Sequence, residues 1–226
     1  MANTVEQIST ALASAYPLVA ILSPEEDRIE RLLQRFAAAA KPQPLPVAVW
    51  NCREGFIGGG GRRDPSEALT WVATEAPPGF YLFKDLHTLL ETDRAQLRAL
   101  RDTAASVRNR GRFIFLIGPS FQLPEELRPL AYMVTALFPD EAEVMATVNA
   151  VLQQTRRTAD AATIQHLIGT LRGMSLLEVE HLLRRLLGRY PELNEEFMAE
   201  VLAEKEQVMR KEGILEIGRA SCRERV

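Results

Sequence analysis

YPLVAILSPEEDRIERLL, Tyr16–Leu33, is the stretch that decides the fold of this chain. Leu18–Leu22 is an uninterrupted apolar run of strand length, the pattern of a strand buried on both faces. The character then changes at once. Ser23 offers a hydroxyl for a helix N-cap and Pro24 suits a first helical position. Glu25, Glu26 and Asp27 put negative charge at the positive end of the helix dipole. Ile29, Leu32, Leu33 and Phe36 recur at helical spacing, so a helix is expected to about Ala40. A buried strand running straight into an amphipathic helix is half of a βαβ unit.

The same alternation continues outward. An amphipathic helix, about Val5 to Ala15, precedes the first strand. Proline-rich Lys41–Pro46 ends the second helix and delivers a second strand, Val47–Trp50. A loop containing Gly58–Gly61 follows, then a short helix opened by Asp64 and Pro65 and carrying Leu69, Trp71 and Val72. Pro77, Pro78 and Gly79 introduce a third strand, Phe80–Phe83, which stops at Lys84 and Asp85. A helix from about Asp93 to Asn109 leads to a fourth strand, Phe113–Ile117, and a fifth, Tyr132–Phe138, precedes a helix from Asp140 to Gln154. Strands separated by helices of this length imply a doubly wound, five-stranded, mainly parallel sheet with helices on both faces.

From Thr158 onward the strand signal ends. Ile164, Leu167, Ile168 and Leu171 form one helical stripe, and Leu176, Val179, Leu182, Leu183 and Leu186 the next, opened by a Ser175–Glu178 capping box. A third helix, about Leu193 to Lys211, completes an α-only satellite. The expected organisation is an α/β domain over 1–156, a small all-α lid over 157–190, a connector helix over 191–215, and a distinct tail over 216–226.

That tail, EIGRASCRERV, neither continues the helical pattern nor supplies a stop signal. Residue for residue it resembles the translation of a common sequencing adapter, so it is excluded from fold reasoning as an expected artefact, and a chain continuing naturally beyond about Leu215 is expected. A genuine basic tail carrying Arg219, Arg223 and Arg225 is the alternative. Without the tail the chain has 24 basic and 28 acidic residues, and Cys52 is its only thiol.

The 226 residues are 46% hydrophobic, enough for one sizeable core and a satellite. A net charge of −3 gives none of the electrostatic pull that nucleic-acid binding needs. MANTVEQIST has no basic cluster followed by an apolar stretch, and no apolar run is long enough to span a bilayer, so no membrane partner is expected and a cytoplasmic location fits. Cys52 and Cys222 are too few for a disulfide framework, and no Cys or His spacing suits a metal.

Five strands in a βαβ series followed by a helical lid is the element order of AAA-type ATPases with a P-loop NTPase fold. Four strings strengthen that likeness: Tyr16–Leu33 as quoted, PPGFYLFKDLH at Pro77–His87, LPEELRPLAYMVTALFPDEAEV at Leu123–Val144, and GMSLLEVEHLLRRLL at Gly173–Leu187. Together they resemble the N-terminal, ATPase-like region of an AAA family found in cyanobacteria and as an uncharacterised plastid reading frame. The resemblance implies a second, intact ATPase domain downstream, joined by a stretch similar to EKEQVMRKEGILE at Glu204–Glu216. It also implies that ATP and magnesium belong to that domain, that the partners are that domain and neighbouring subunits in a possible homo-oligomer, and that a plastid stroma is the alternative compartment.

A P-loop needs G-x-x-x-x-G-K-[ST] after the first strand, so that glycine amides wrap the phosphates and lysine offsets their charge. Here Ser23–Arg28 reads SPEEDR, without a glycine and with three acids where triphosphate would sit. Gly58–Gly61 follows the wrong strand, lacks the Lys-Ser/Thr pair and leads to Arg62 and Arg63; a flexible surface loop is the expectation. Where an active family member shows an aspartate for magnesium, this chain has Lys84 and Asp85, and a lysine there competes with the metal. Asp85 is therefore read as a relic or a helix-capping group. Ser120 is read as a turn residue after Gly118 and Pro119. Arg108, Arg110 and Arg112 are read as dipole partners of a helix end rather than a trans-acting arginine finger. Cys52 is read as a small buried residue, Trp50 and Trp71 as core, and His87, His166 and His181 as unrelated surface or half-buried groups.

The reading is a non-catalytic AAA-type scaffold or regulatory module with no cofactor of its own. The alternatives are a nucleotide-binding part of an active ATPase and a stand-alone inactive adaptor.

Overall fold

The computed structural model describes residues 4–58, 61–90, 92–136 and 138–211. The tail at 216–226 and the last residues of the expected connector therefore lie outside the described residues, as do Gly59 and Gly60. In chain order the elements are α1 (Thr4–Ala13), β1 (Leu18–Leu22), α2 (Glu26–Ala38), β2 (Val47–Asn51), β3 (Gly55–Phe56), α3 (Pro65–Thr74), β4 (Gly79–Lys84), α4 (Leu86–Leu90), α5 (Arg94–Val107), β5 (Arg112–Gly118), β6 (Ala131–Thr135), α6 (Glu141–Gln154), α7 (Ala161–Leu171), α8 (Leu176–Arg189) and α9 (Glu195–Lys211).

The strands lie in the order β3-β2-β4-β5-β1-β6, parallel throughout except for β3. This is a mixed α/β fold with a mainly parallel sheet. The sheet has six strands where five were expected, because β3 is only two residues long and leaves no periodicity to read. Its turn is built locally: the Asn51 side chain accepts hydrogen bonds from the backbone N–H groups of Arg53 and Glu54. At Gly55, φ is +76° and a Cβ would lie 2.1 Å from the Gly61 carbonyl oxygen, so only glycine fits. Strand β6 stops at Thr135 rather than Phe138, because its partner β1 ends at Leu22, opposite Thr135.

The first strand, expected to be buried on both faces, is so, as are β4 and most of β5, while the edge strand β6 is largely open. Leu18 and Ala20 of β1, Tyr81 and Phe83 of β4, and Ile114 and Leu116 of β5 share one core with Trp50, Leu69 and Leu100. Val19, Ile21, Phe80, Leu82, Phe115 and Ile117 share the other with Ile8, Ile29 and Leu33. The two-residue period of the strands deals alternate side chains to opposite faces. Trp71 is partly buried rather than core, with the Arg62 guanidinium 4.8 Å above its ring.

Arg112, grouped by spacing with Arg108 and Arg110, is separated from them by the fold. It lies in β5, and its Nη1 donates to the carbonyls of Val72 and Ala73 at 3.2 and 2.8 Å, closing the C-terminal turn of α3. Beside it the Tyr81 hydroxyl donates to the Pro77 carbonyl. Burial pushes that phenol up to about 12, against a smaller opposing effect of Arg112.

The chain divides into two compact units, Met1–Leu137 and Phe138–Val226. The sequence reading attached α6 to the α/β domain and began the lid near 157. Tertiary packing places α6 with the second unit: Val144, Val148, Val151 and Leu152 share a core with Leu167, Ile168, Leu183, Phe197 and Val201. Helix α9 belongs to that core too, and Lys205 donates to the Thr170 carbonyl at the end of α7 at 2.7 Å. Asp140 with Glu143, and Ser175 with Glu178, form capping boxes at the starts of α6 and α8.

Asp64 caps α3 as its sequence position suggests, accepting from the N–H groups of Ser66 and Glu67 at 2.8 and 3.0 Å. Asp64→Ala is expected to lower stability by about 1 kcal/mol, read from urea denaturation followed by circular dichroism. An unchanged midpoint would remove the cap from the forces holding the first unit.

Candidate functional site

Ligands of open α/β sheets bind in the crevice outside the carboxyl ends of the parallel strands. Here β1, β4 and β5 end there with Leu22, Lys84 and Gly118. The turn from β1 into α2 leaves this edge tightly held. Ser23 is fully buried, and its N–H donates to the Gly118 carbonyl at 2.9 Å. Its hydroxyl accepts from the Glu25 N–H at 3.2 Å, closing a local turn. That turn delays the helix by two residues: α2 starts at Glu26, and Glu25, not Ser23, is its N-cap, with no side-chain cap.

The charges of this turn are neutralised from within. Arg28 is only 3% exposed; its Nη1 lies 3.0 Å from Glu25 Oε2 and 3.5 Å from the Ala136 carbonyl, tying the first turn of α2 to the end of β6. Lys84, 12% exposed at the end of β4, sends its ammonium to three carboxylates of α2. Nζ is 3.0 Å from Glu30, 3.6 Å from Glu26 and 3.8 Å from Asp27. Desolvation pulls the Lys84 pKa down, but the hydrogen bond and charge of Glu30, with Glu26 and Asp27 behind it, outweigh this and hold it above the usual 10.5.

If the first glycine of a G-x-x-x-x-G-K-[ST] loop is set at Ser23, the second falls at Arg28, the lysine at Ile29 and the hydroxyl residue at Glu30. Ile29 is fully buried in the core with Val19 and Ile21. The residue in the lysine's place packs against the sheet, and the one in the hydroxyl's place holds Lys84.

Asp85 follows at φ +65°. Its backbone carbonyl accepts from the N–H and hydroxyl of Thr88 at 3.0 and 2.7 Å, so the main chain rather than the carboxylate opens the short helix α4. The carboxylate accepts instead from the Cys52 thiol at 3.5 Å. Cys52 was expected to be buried and is exposed, because the tight turn after β2 carries it outward. Its pKa is raised, by desolvation first and by Asp85 second, so the thiol is held protonated rather than activated. His87 packs on the end of β5: a Cβ at Gly118 would come within 2.5 Å of its ring, and the ring stacks on Phe121 at 5.0 Å. Ser120 lies exposed in the bend after β5, and His166 and His181 are exposed in the second unit.

The fold thus brings together the acids of the β1–α2 turn with Lys84 and Arg28, and separately Asp85 with Cys52, and does not bring the three histidines together. Sequence reasoning missed two features: Lys84 as the partner of the α2 acids, and the burial of Arg28. The i,i+4 pair Glu26 and Glu30 facing the residue that ends a parallel strand was the available signal for the first. Among the described residues no grouping of three His, Cys, Asp or Glu suits a metal, and no helix is long and apolar enough to cross a membrane.

Residues 4–136 match the family model for the SpoVK-like AAA ATPase N-terminal domain, and residues 142–212 that for the second domain of the same family. Among curated proteins, the chain is 25% identical over 218 residues to the "Uncharacterized AAA domain-containing protein ycf46" of Trieres chinensis, covering 93% of this chain and 43% of that one. The protein of the same name from Guillardia theta is 26% identical, with 94% and 43% covered. The chain therefore spans less than half the length of these relatives. Among solved structures, Rhizobiales Trip13 superposes with a TM-score of 0.57 at 15% identity, over 88% of this chain and 75% of that one. The FIGL-1 AAA domain in complex with ADP gives 0.56 at 13% identity, over 76% and 60%. At these identities the likeness is one of fold.

Lys84→Met is expected to lower stability by about 1–3 kcal/mol near neutral pH, since it leaves Glu30 and Glu26 without their cation. A raised folded-state pKa means that the folded protein holds this proton more tightly than the unfolded chain. The stabilisation is therefore complete below the usual lysine value and is lost as pH rises through the raised one. Urea denaturation of both proteins from pH 6 to 11 checks this; the gap between them is expected to be flat at first and to shrink only at the alkaline end. A gap that closes near neutrality would contradict the assignment.

Proposed function

This chain belongs to the SpoVK-like AAA ATPase family, and we propose that it is a non-hydrolysing module of such an ATPase, contributing shape and contacts instead of a working nucleotide site. One observation carries the reading. The turn at which the fold would cradle phosphate has no glycine, and its acids are committed to Lys84 and Arg28 of the same chain. A triphosphate entering there would meet Glu25, Glu26, Asp27 and Glu30, and magnesium would compete with an ammonium already in place. Both ligands would have to compete with the sheltered pairs Arg28–Glu25 and Lys84–Glu30. Asp85, the nearest counterpart of a metal-binding aspartate, is a relic in this reading; its carboxylate is taken by the Cys52 thiol and has no role with magnesium.

The parent protein supplies ATP hydrolysis from a further domain, and that domain and neighbouring subunits are the partners of this one. Support for this comes from the family and from the share of its relatives that the chain covers. The compartment is that of the parent, cytoplasm or plastid stroma. Asp85 and the β1–α2 turn take no cofactor in this reading; ATP and magnesium belong to the other domain.

Titration of a fluorescent ATP analogue with magnesium into the chain ending at Leu215 tests the proposal. No saturable binding is expected up to millimolar nucleotide. Micromolar binding abolished by Glu26→Lys or Asp85→Ala would overturn it.

A further inference from the structure

Helix α5 carries a feature that its fold does not need. Gln96, Leu100, Thr103, Ala104 and Val107 are its buried face. On the opposite side Arg94, Arg98 and Arg101 are exposed at i, i+4 and i+7, and Arg108, just past the helix end, continues the same line. The row is about 21 Å long at the helical rise. Arg98 pairs with Asp102 at 2.9 Å; among the described residues no carboxylate lies within ion-pair distance of Arg94, Arg101 or Arg108.

Local energetics oppose this arrangement. Arg94 sits in the first turn, where a cation faces the positive end of the helix dipole. Arg94 with Arg98, and Arg98 with Arg101, are like charges at the spacings that repel on a helix. Helix α2 shows the ordinary solution on its solvent face, mixing Asp27, Glu30, Arg31 and Gln34. Departures from local rules with no gain inside the fold are expected at functional surfaces.

We propose that the α5 arginine row is a docking surface for an acidic helical segment of a protein partner. Guanidinium pairs with carboxylate in a fixed two-pronged geometry, and glutamates repeated at i, i+4 and i+7 on the partner match the row in spacing. A nucleic acid fits less well. Residues 1–137 carry fifteen Lys and Arg against fifteen Asp and Glu, so this unit has no net field to gather a polyanion, and Asp93 and Asp102 flank the row.

The test uses the full chain and fluorescence anisotropy at low and physiological salt. The probe is a labelled 20-residue helical peptide with glutamate in that spacing; a peptide of identical composition in scrambled order and a single-stranded oligonucleotide are the comparisons. The spaced peptide is expected to bind roughly tenfold more tightly than the scrambled one. Arg94→Glu/Arg98→Glu/Arg101→Glu is expected to abolish that preference, while Arg31→Glu/Arg35→Glu on α2 leaves it unchanged. All the substituted side chains are solvent-facing, and circular dichroism confirms that both variants fold. Equal binding of the two peptides, an unaffected triple variant, or tighter binding of the oligonucleotide would each overturn the proposal.

Discussion

The ion pair between Lys84 and the first turn of α2 is the interaction around which the carboxyl edge of the sheet is arranged. A parallel strand that runs into a helix leaves the helix's positive N-terminus facing the strand ends. That field must be met by negative charge. In this chain the negative charge is built in, as Glu25, Glu26, Asp27 and Glu30, with Glu25 and Glu30 half-buried and Asp27 open to solvent. The cations are the more buried partners: Arg28 of α2 takes Glu25, and Lys84 of β4 takes Glu30 with Glu26 beside it. The turn, the helix start and the end of β4 are thereby one unit, and removing Lys84 would leave Glu30 and Glu26 without this cation.

The same edge explains the neighbouring details. Ser23 spends both its N–H and its hydroxyl on the backbone, which fixes where α2 begins. Gly118 leaves room for the His87 ring at the end of β5, and Phe121 covers that ring. Family membership says which ATPase family the chain belongs to; the charge pairs at the edge are what the proposal of a non-hydrolysing role rests on.

Much of the fold was legible in the sequence, for identifiable reasons. Five strands were visible because apolar runs such as Leu18–Leu22 and Phe80–Phe83 have no helical reading, and Asp64-Pro65 and Ser175–Glu178 announce helix starts by cap chemistry that acts within four residues. What stayed hidden lies in elements too short to leave a periodicity or in contacts distant in sequence. Strand β3 exists through a side-chain turn at Asn51 and a close backbone approach at Gly55. The affiliation of α6 depends on which core its Val144 and Val148 enter, and its amphipathic pattern is the same in either case. At the site, the acids and Lys84 were each noticed, but their pairing spans more than fifty residues of chain. Cys52 was misplaced because a lone thiol carries no signal of the turn that exposes it.

Hydrogen–deuterium exchange of the chain with and without millimolar magnesium-ATP is the most direct measurement of the central claim, because it reads the β1–α2 turn itself. If Lys84 and Arg28 already satisfy that turn, the segments covering Leu18–Leu33 and Gly79–Leu90 will exchange identically in both conditions. Protection concentrated at Ser23–Ile29 on addition of nucleotide would mean that phosphate displaces the internal ion pairs, and the account of a closed site would be wrong.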